Sequence, residues 1–524
     1  MNAIIMAAGT SSRFVPLSYE KPKGLLVVKN EVLIERQIKQ LLEAGITDIT
    51  IVVGYKASMF QYLVEKYGVS LVLNDDYAKY NNTSSLIRVL DKLGDTYICS
   101  SDNYFTRNVF LGKATHSYYS ALYSEQETNE YCIQTDKSNN ICSVTIGGKQ
   151  TWYMIGHVFF NRDFSSAFAS LLSKEYLNKN TRYEYWEDVY IRHISELPPM
   201  QIHKFSKGEI KEFDSLEELR DFDPTYTNSA HCSILDNICN VLHCKESDII
   251  DIYPLKNGMT NRSFVFTCFN KQYVYRHPGE GTEVFINRES EYFSMQIAKQ
   301  LNIDSTFIYM HPQEGWKISY YIPNAHALDY NNPNELQLSL NLLRTLHQAN
   351  IQSKHSYRLW EQAEIFLTQI QKCSKESVES AEFHSLYNSI KKLHQYTMED
   401  AWGECLNHCD ALADNFLCND KGEMTLIDWE YSGQGDTAQD IGSFIACSPM
   451  NYNTALCTIQ QYLQKEATKE ELRHYIAYVA IASFTWFLWA IYQNCNGVDT
   501  GEYLAQWQHG AQLFGDKALS LYES

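Results

Sequence analysis

Basic side chains are in short supply in this chain. Its 524 residues include 44 Lys and Arg against 63 Asp and Glu, a formal net charge of −19. A surface that grips nucleic acid by its phosphates needs the opposite balance, so no nucleic-acid partner is expected, and an anionic nucleotide has to be met by local cations and metal. The opening residues, MNAIIMAAG, lack the charged region and cleavage site of a secretory leader. The 14 cysteines are scattered, which fits a reduced, cytoplasmic setting. His231, Cys232, Cys239, His243 and Cys244 come near a zinc pattern, but their spacing fits no common site, and packing of small apolar cysteines on a helix accounts for them. Residues 475–492 run without a charge and are long enough to span a membrane. That run is rich in aromatics, contains Ser and Thr, stands alone and lacks a flanking basic cluster. It reads as a buried helix of a large domain, without membrane insertion.

A chain of this length exceeds one core and has room for about three compact units. In the first half, strands at 3–8, 48–53, 70–74 and 96–100 alternate with helices at 31–44, 59–66 and 84–90. Leu33, Ile34, Ile38, Leu41 and Leu42 fall at helical spacing, and Gly45 is the expected C-cap. Such alternation predicts a Rossmann-like, doubly wound α/β domain with a mostly parallel sheet. Ligands of these sheets sit beyond the carboxyl ends of the strands. There the sequence places Gly9 to Arg13, whose small residues let backbone N–H groups approach phosphate, with Arg13 and Lys23 to neutralise it. Asp102 follows the strand at 96–100, where a carboxylate can hold Mg²⁺.

Residues 6–26, MAAGTSSRFVPLSYEKPKGLL, resemble the signature of sugar-nucleotide pyrophosphorylase-like nucleotidyltransferases: a Gly-rich loop, Arg, Pro-Leu and Pro-Lys. NDDYAKYNNTSSL at 74–86, SDNY at 101–104, TNEY at 128–131 and EFDSLEELR at 212–220 narrow the resemblance to bacterial CTP:phosphocholine cytidylyltransferases, over residues 1–224. It implies nucleotide contacts from Ala8, Gly9 and Asn82, charge stabilisation by Lys23 and Arg13, and Mg²⁺ shared by Asp102 and Asp214. The phosphate of phosphocholine would attack the α-phosphorus of CTP and expel pyrophosphate. Its trimethylammonium head calls for acids and ring faces, and Tyr131, Tyr185, Trp186, Glu187 and Asp188 are the candidates. EYWEDVY reads equally well as an amphipathic helix with a solvated acidic face. The pattern departs from the family at Ser11, where relatives often have a second Gly, and at Ser100-Ser101, where they often carry another acid.

DFDPTYTN at 221–228 marks the expected domain boundary, with a linker at 225–231 and a second domain over 232–524. In that domain a turn at 255–261 leads into a hairpin, 263–269 and 272–276, turning at Asn270-Lys271 and ending in Arg276. Glu291, at the head of a helix at 292–301, is the expected acidic partner of Arg276, with Glu289 as the alternative. Residues 408–430 then read HCDALADNFLCNDKGEMTLIDWE. Asp410 can accept a hydroxyl proton, and Asn415 and Asp428 offer the oxygen ligands that Mg²⁺ requires.

This run resembles the catalytic and metal segment of the choline/ethanolamine kinase and aminoglycoside phosphotransferase superfamily. The resemblance implies an α+β bilobal, protein-kinase-like domain that uses ATP. Asn257, Thr260 and Asn261 would form its nucleotide loop, with Arg276 on the phosphates. FTWFLWAIYQ at 484–493 looks like the choline-pocket helix of choline kinases, implying choline contacts from Trp486, Trp489, Tyr503, Trp507 and Glu430. The expectation is a bifunctional enzyme that phosphorylates choline with ATP and converts phosphocholine and CTP to CDP-choline. The alternatives are the same two reactions on ethanolamine or another amino alcohol, a sugar-1-phosphate nucleotidyltransferase joined to a small-molecule kinase, and a regulatory protein with one degenerate half. No sequence feature speaks to oligomeric state.

Overall fold

In the computed structural model, residues 1–112, 114–255, 261–279, 282, 285–496, 498 and 500–524 are described. The chain divides into two compact units, Met1–Pro254 and Leu255–Ser524. Residues 225–254, assigned from sequence partly to a linker and partly to the second half, thus lie with the first unit.

The first unit is built on a seven-stranded sheet whose strands run, edge to edge, Gln201–Lys204, Tyr118–Thr135, Ile141–Phe160, Thr96–Ser100, Asn2–Ala7, Ile49–Val53 and Ser70–Leu73. Asn2–Ala7 lies parallel to both neighbours, with Ile4 opposite Thr50 and Ile98. These strands are largely apolar, as strands covered on both faces are. Ala3, Ile5 and Ala7 enter one core layer and Ile4 the other. The sheet is mostly parallel, four of its six pairings, as expected; the exception is Ile141–Phe160, which runs antiparallel to both Thr96–Ser100 and Tyr118–Thr135. Alternation of strand and helix in the first hundred residues predicts only the parallel part. Helix Leu33–Glu43 buries Ile34, Ile38 and Leu41. Gly45 follows at φ 80°, the left-handed position that ends a helix.

In the second unit, strands Asn261–Cys268, Lys271–Pro278, Lys317–Tyr320 and Phe307–Met310 pair antiparallel in that order. The first hairpin turns at Phe269 and Asn270, both with positive φ, so Lys271 belongs to the returning strand and not to the turn. Both turn residues need that conformation because a two-residue turn must match the twist of its strands. The rest is mainly helical and centred on Lys469–Cys495. This is the one helix among the described residues long and apolar enough to cross a membrane, and 94% of its apolar stretch is buried inside the fold. Helices pack so closely there that a Cβ on Gly442 would come within 2.5 Å of the Tyr478 carbonyl.

Candidate active sites

The strand Asn2–Ala7 delivers the chain into a loop beside the carboxyl end of Thr96–Ser100. Ser11 adopts φ 50° in that loop, a left-handed conformation that glycine takes without strain. A cleft of about 370 Å³ opens here, lined by Ala8, Gly9, Lys23, Asn82, Asp102 and Tyr185 among others. A second cleft, of about 220 Å³, shares Lys23, Asp102 and Tyr185 and adds Arg13, Glu212 and Asp214.

Lys23 is the centre of this charge cluster. Its buried Nζ lies 2.8 Å from Asp102 Oδ2 and 3.6 Å from Asp214 Oδ1. Arg13, largely exposed, reaches Asp214 at 3.4 Å. Burial works against the Lys23 ammonium, but Asp102, Glu212 and Asp214 outweigh it and hold its pKa above the usual value. Carboxylates remain in excess. Burial, together with Asp102 and the neighbouring Asp214 and Glu130, pushes Glu212 up to about 8. Glu212 was missed as a site residue, although it stands two before Asp214. Residues two apart in extended chain share a side, and that spacing was the available signal.

The acidic helix Trp186–Arg192 divides its candidates. Tyr185, its N-cap, is exposed and lines both clefts. Glu187 accepts from Tyr119 at 3.1 Å and from Asn82 Nδ2 at 3.2 Å, and burial raises its pKa to about 7. Tyr131 donates to Asp188 at 2.7 Å. Trp186 is packed among Tyr119, Phe160 and Phe168 in the core, so its ring is not brought to either cleft.

In the second unit, one carboxylate sets the position of the His408–Asp410 loop. Asp440 accepts from the backbone N–H groups of His408, at 2.9 Å, and Cys409, at 2.5 Å, and from His347 Nε2 at 2.9 Å. His408 Nε2 meets the Ile427 carbonyl at 2.9 Å, joining the loop to the segment that carries Asp428. Asp410 is buried, and Asn415 Nδ2 donates to its carboxylate at 3.0 Å and to its carbonyl at 2.8 Å. That burial, with Asp428 and Glu430 nearby, holds the Asp410 carboxyl well above the usual range.

Arg276 Nη2 pairs with buried Glu291 at 2.5 Å, and its Nη1 reaches Asp428 at 3.1 Å and Glu430 at 3.7 Å. Glu291 lies in the first turn of helix Arg288–Gln300; Glu289 is exposed and takes no part in this cluster. Lys317, which the sequence did not single out, reaches Asp428 at 3.5 Å and Glu291 at 3.9 Å. A cleft of about 310 Å³ beside them is lined by Ser263, Arg276, Lys317, Tyr321, Leu417 and Asp428, among others. Asn261 donates to Glu430 at 2.8 Å. Asn257 and Thr260 lie outside the described residues.

The ring candidates do come together. Trp486, Trp489 and Trp507 have centroids 6.1 to 6.4 Å apart, and Tyr503 stacks on Trp507 at 5.1 Å. Tyr431, the residue after Glu430, extends the group to Trp486 at 6.0 Å. Tyr431 also packs against Tyr357 at 5.6 Å, and the Tyr357 carbonyl accepts from Sγ of Cys409, the residue before Asp410, at 4.0 Å. Trp486 Nε1 is buried with no hydrogen-bond partner among the described residues.

A small-residue strand-to-loop turn with a carboxylate and Lys cluster, joined in one chain to a cleft with an Asp–Asn pair, fits a two-domain transferase that uses nucleotides. Comparisons with known proteins give the families. Choline/ethanolamine kinase matches residues 252–480, and the MobA-like NTP transferase domain matches residues 3–130. The choline-phosphate cytidylyltransferase of Streptococcus pneumoniae is 35% identical over 228 residues, 44% of this chain and 99% of that protein. The 2-aminoethylphosphonate cytidylyltransferase of Lancefieldella rimae is 35% identical over 229 residues, 43% of this chain and 93% of that one. Protein LicA of Haemophilus influenzae is 22% identical over 254 residues, 47% of this chain and 94% of that protein. The chain belongs to the choline-phosphate cytidylyltransferase family through its first half and carries a choline/ethanolamine kinase domain in its second.

Proposed function

We propose that this chain makes CDP-choline in the cytoplasm by two successive transfers. The second unit phosphorylates choline from ATP, and the first converts the phosphocholine and CTP to CDP-choline and pyrophosphate. The observation that carries the reading is the group of ring faces linked through Tyr431 and Tyr357 to the Asp410 loop. A quaternary ammonium has no N–H to donate and is held by ring faces, while its hydroxyl needs a base within reach. Trp486, Trp489, Trp507, Tyr503 and Tyr431 supply the rings, Glu430 adds negative charge, and Asp410 takes the hydroxyl proton.

Asn415 and Asp428 would hold Mg²⁺ in the kinase unit, Asp102 and Asp214 in the other. Both donor sets are oxygen, as a hard cation requires. The surplus of carboxylates around Lys23 supports a cation there. When bound, the ion neutralises charge on the phosphates. Arg276 bears on the ATP phosphates, with Asn261, Asn257 and Thr260 on the nucleotide loop. In the first unit Ala8, Gly9 and Asn82 contact CTP, while Lys23 and Arg13 neutralise charge at the α-phosphorus as phosphocholine attacks. Tyr131, Tyr185, Glu187 and Asp188 are left to receive the cationic head.

A second reading, a primary ammonium substrate, is favoured by one feature: Glu187 and Asp188 are hydrogen-bond acceptors, which suit N–H donors more than methyl groups. The relative from Lancefieldella rimae is named for such a substrate. Incubation with ATP, CTP, Mg²⁺ and either choline, ethanolamine or 2-aminoethylphosphonate, followed by phosphorus NMR, decides between them. CDP-choline as the main product supports the proposal; turnover of the primary amines alone overturns it.

A further inference from the structure

Outside both candidate sites, His326, Glu335 and Cys418 offer an imidazole nitrogen, a carboxylate oxygen and a thiol sulfur, all within 4.8 Å of one another. Strand register brings two of them together. His326–Ala327 pairs antiparallel with Phe416–Cys418, and His326 stands directly opposite Cys418. Residues so opposed send their side chains to one face. Glu335 comes from the first turn of helix Pro333–Gln348. Its carboxylate is held by Asn332 Nδ2 at 2.7 Å and the Asp329 N–H at 2.9 Å, and lies 3.3 Å from His326 Nε2. Cys418 is buried, whereas the His326 side chain is 56% exposed, so the cluster opens to solvent on the imidazole side.

We propose that these three residues bind a divalent transition-metal ion of the zinc type, with solvent completing the coordination. The mixed nitrogen, sulfur and oxygen set selects a borderline-soft ion and not Mg²⁺. Ligand bonds of about 2.0–2.3 Å draw tetrahedral donors closer together than 4.8 Å, and rotation of the exposed imidazole can supply that movement. Burial and the Glu335 carboxylate favour the protonated Cys418 thiol; an ion displaces that proton on binding, as thiolate coordination requires. Leu417, beside Cys418 in the strand, lines the kinase cleft, as does Ala325, beside His326. Neighbouring strand residues face opposite ways. The ion therefore sits behind the cleft wall, on Cys418 three residues beyond Asn415, and ties that wall to helix Pro333–Gln348.

Titration of the full chain with Co²⁺ in excess Mg²⁺ tests this, the readout being the near-ultraviolet thiolate-to-cobalt charge-transfer band. The expected result is a band saturating with a single equivalent, lost in Cys418→Ser and requiring at least tenfold more Co²⁺ in His326→Gln. An undiminished band in Cys418→Ser, or no saturable band in the unaltered protein, overturns the proposal. Should Cys418→Ser fail to fold, His326→Gln carries the test, because that side chain is exposed. An unshifted titration in it would also overturn the site.

Discussion

Arg276 and Lys317 stand opposite each other in the register of strands Lys271–Pro278 and Lys317–Tyr320, and both reach the same oxygen of Asp428, at 3.1 and 3.5 Å. Burial alone would favour the neutral Asp428 carboxyl; Lys317 and then Arg276 outweigh it and hold its pKa below the usual range. The kinase cleft thus has two cations where the sequence shows one. Contacts between charged groups are worth about 1.5–3 kcal/mol, so Lys317→Met is expected to raise KM for ATP by about tenfold or more. Cytidylylation of added phosphocholine should be unaffected. Steady-state kinetics of the two half-reactions, run separately, checks this.

Glu187 should make the first unit sensitive to pH. Its carboxyl is raised from 4.5 to about 7, chiefly by burial. Stability from a group raised in this way is fully present below the unfolded value of 4.5 and is lost as pH rises through about 7. Glu187→Gln should therefore match the parent in acid and gain on it in thermal midpoint above about pH 7. Binding runs the other way: the ionised carboxylate attracts a cationic head, so KM for phosphocholine should fall as pH rises through that value. Glu187→Gln should flatten the part of the profile that does not come from the phosphate of the substrate.

How these residues became visible differs with the distance over which they act. Lys23, Asp410, Asn415 and Asp428 sit in short motifs whose spacing is set by one turn or loop, so the chain alone exposes them. Lys317 is opposite Arg276 only because two strands separated by some forty residues pair, and pairing register has no local signature. Asp440, which clamps the His408–Asp410 loop, is likewise on a later helix. Tyr431 and Glu212 were legible in principle, being one and two residues from assigned positions. Trp186 shows the converse: its neighbours in sequence are polar candidates, but the rotation of its helix turns the indole toward Phe160 and Phe168. The long antiparallel strands Tyr118–Thr135 and Ile141–Phe160 escaped because their outer parts are solvent-exposed and mixed in polarity.

Trp486 separates the choline reading from its rivals. Ring-face recognition of a desolvated cation is worth about 2 kcal/mol, which corresponds to about thirtyfold in affinity. Trp486 is buried, and truncation to Ala would confound binding with a core cavity. Trp486→Leu keeps apolar bulk and removes the π face. Its expected effect is a rise of about tenfold or more in KM for choline, with a much smaller change for ethanolamine. Thermal unfolding of the variant supplies the control for packing. Equal losses on the two alcohols would count against a ring-lined choline pocket.

Asp410 and Lys23 offer the cleanest dissection because each belongs to a different unit. Asp410→Asn leaves the side chain's size and the Asn415 contact to its carbonyl in place but removes the proton acceptor. General-base catalysis typically contributes 10²–10⁴-fold, so choline phosphorylation should fall by about that factor. Cytidylylation of supplied phosphocholine should continue at its original rate. Lys23→Met removes the cation between Asp102 and Asp214 and leaves the nearby carboxylates uncompensated. It should abolish CDP-choline formation and let phosphocholine accumulate from choline and ATP. Mixing the two variants then restores the full conversion, since phosphocholine released by one is available to the other. A mixture that accumulates phosphocholine without making CDP-choline would mean that the intermediate does not pass through solution, whereas loss of both half-reactions in either single variant would mean that the two sites are not independent.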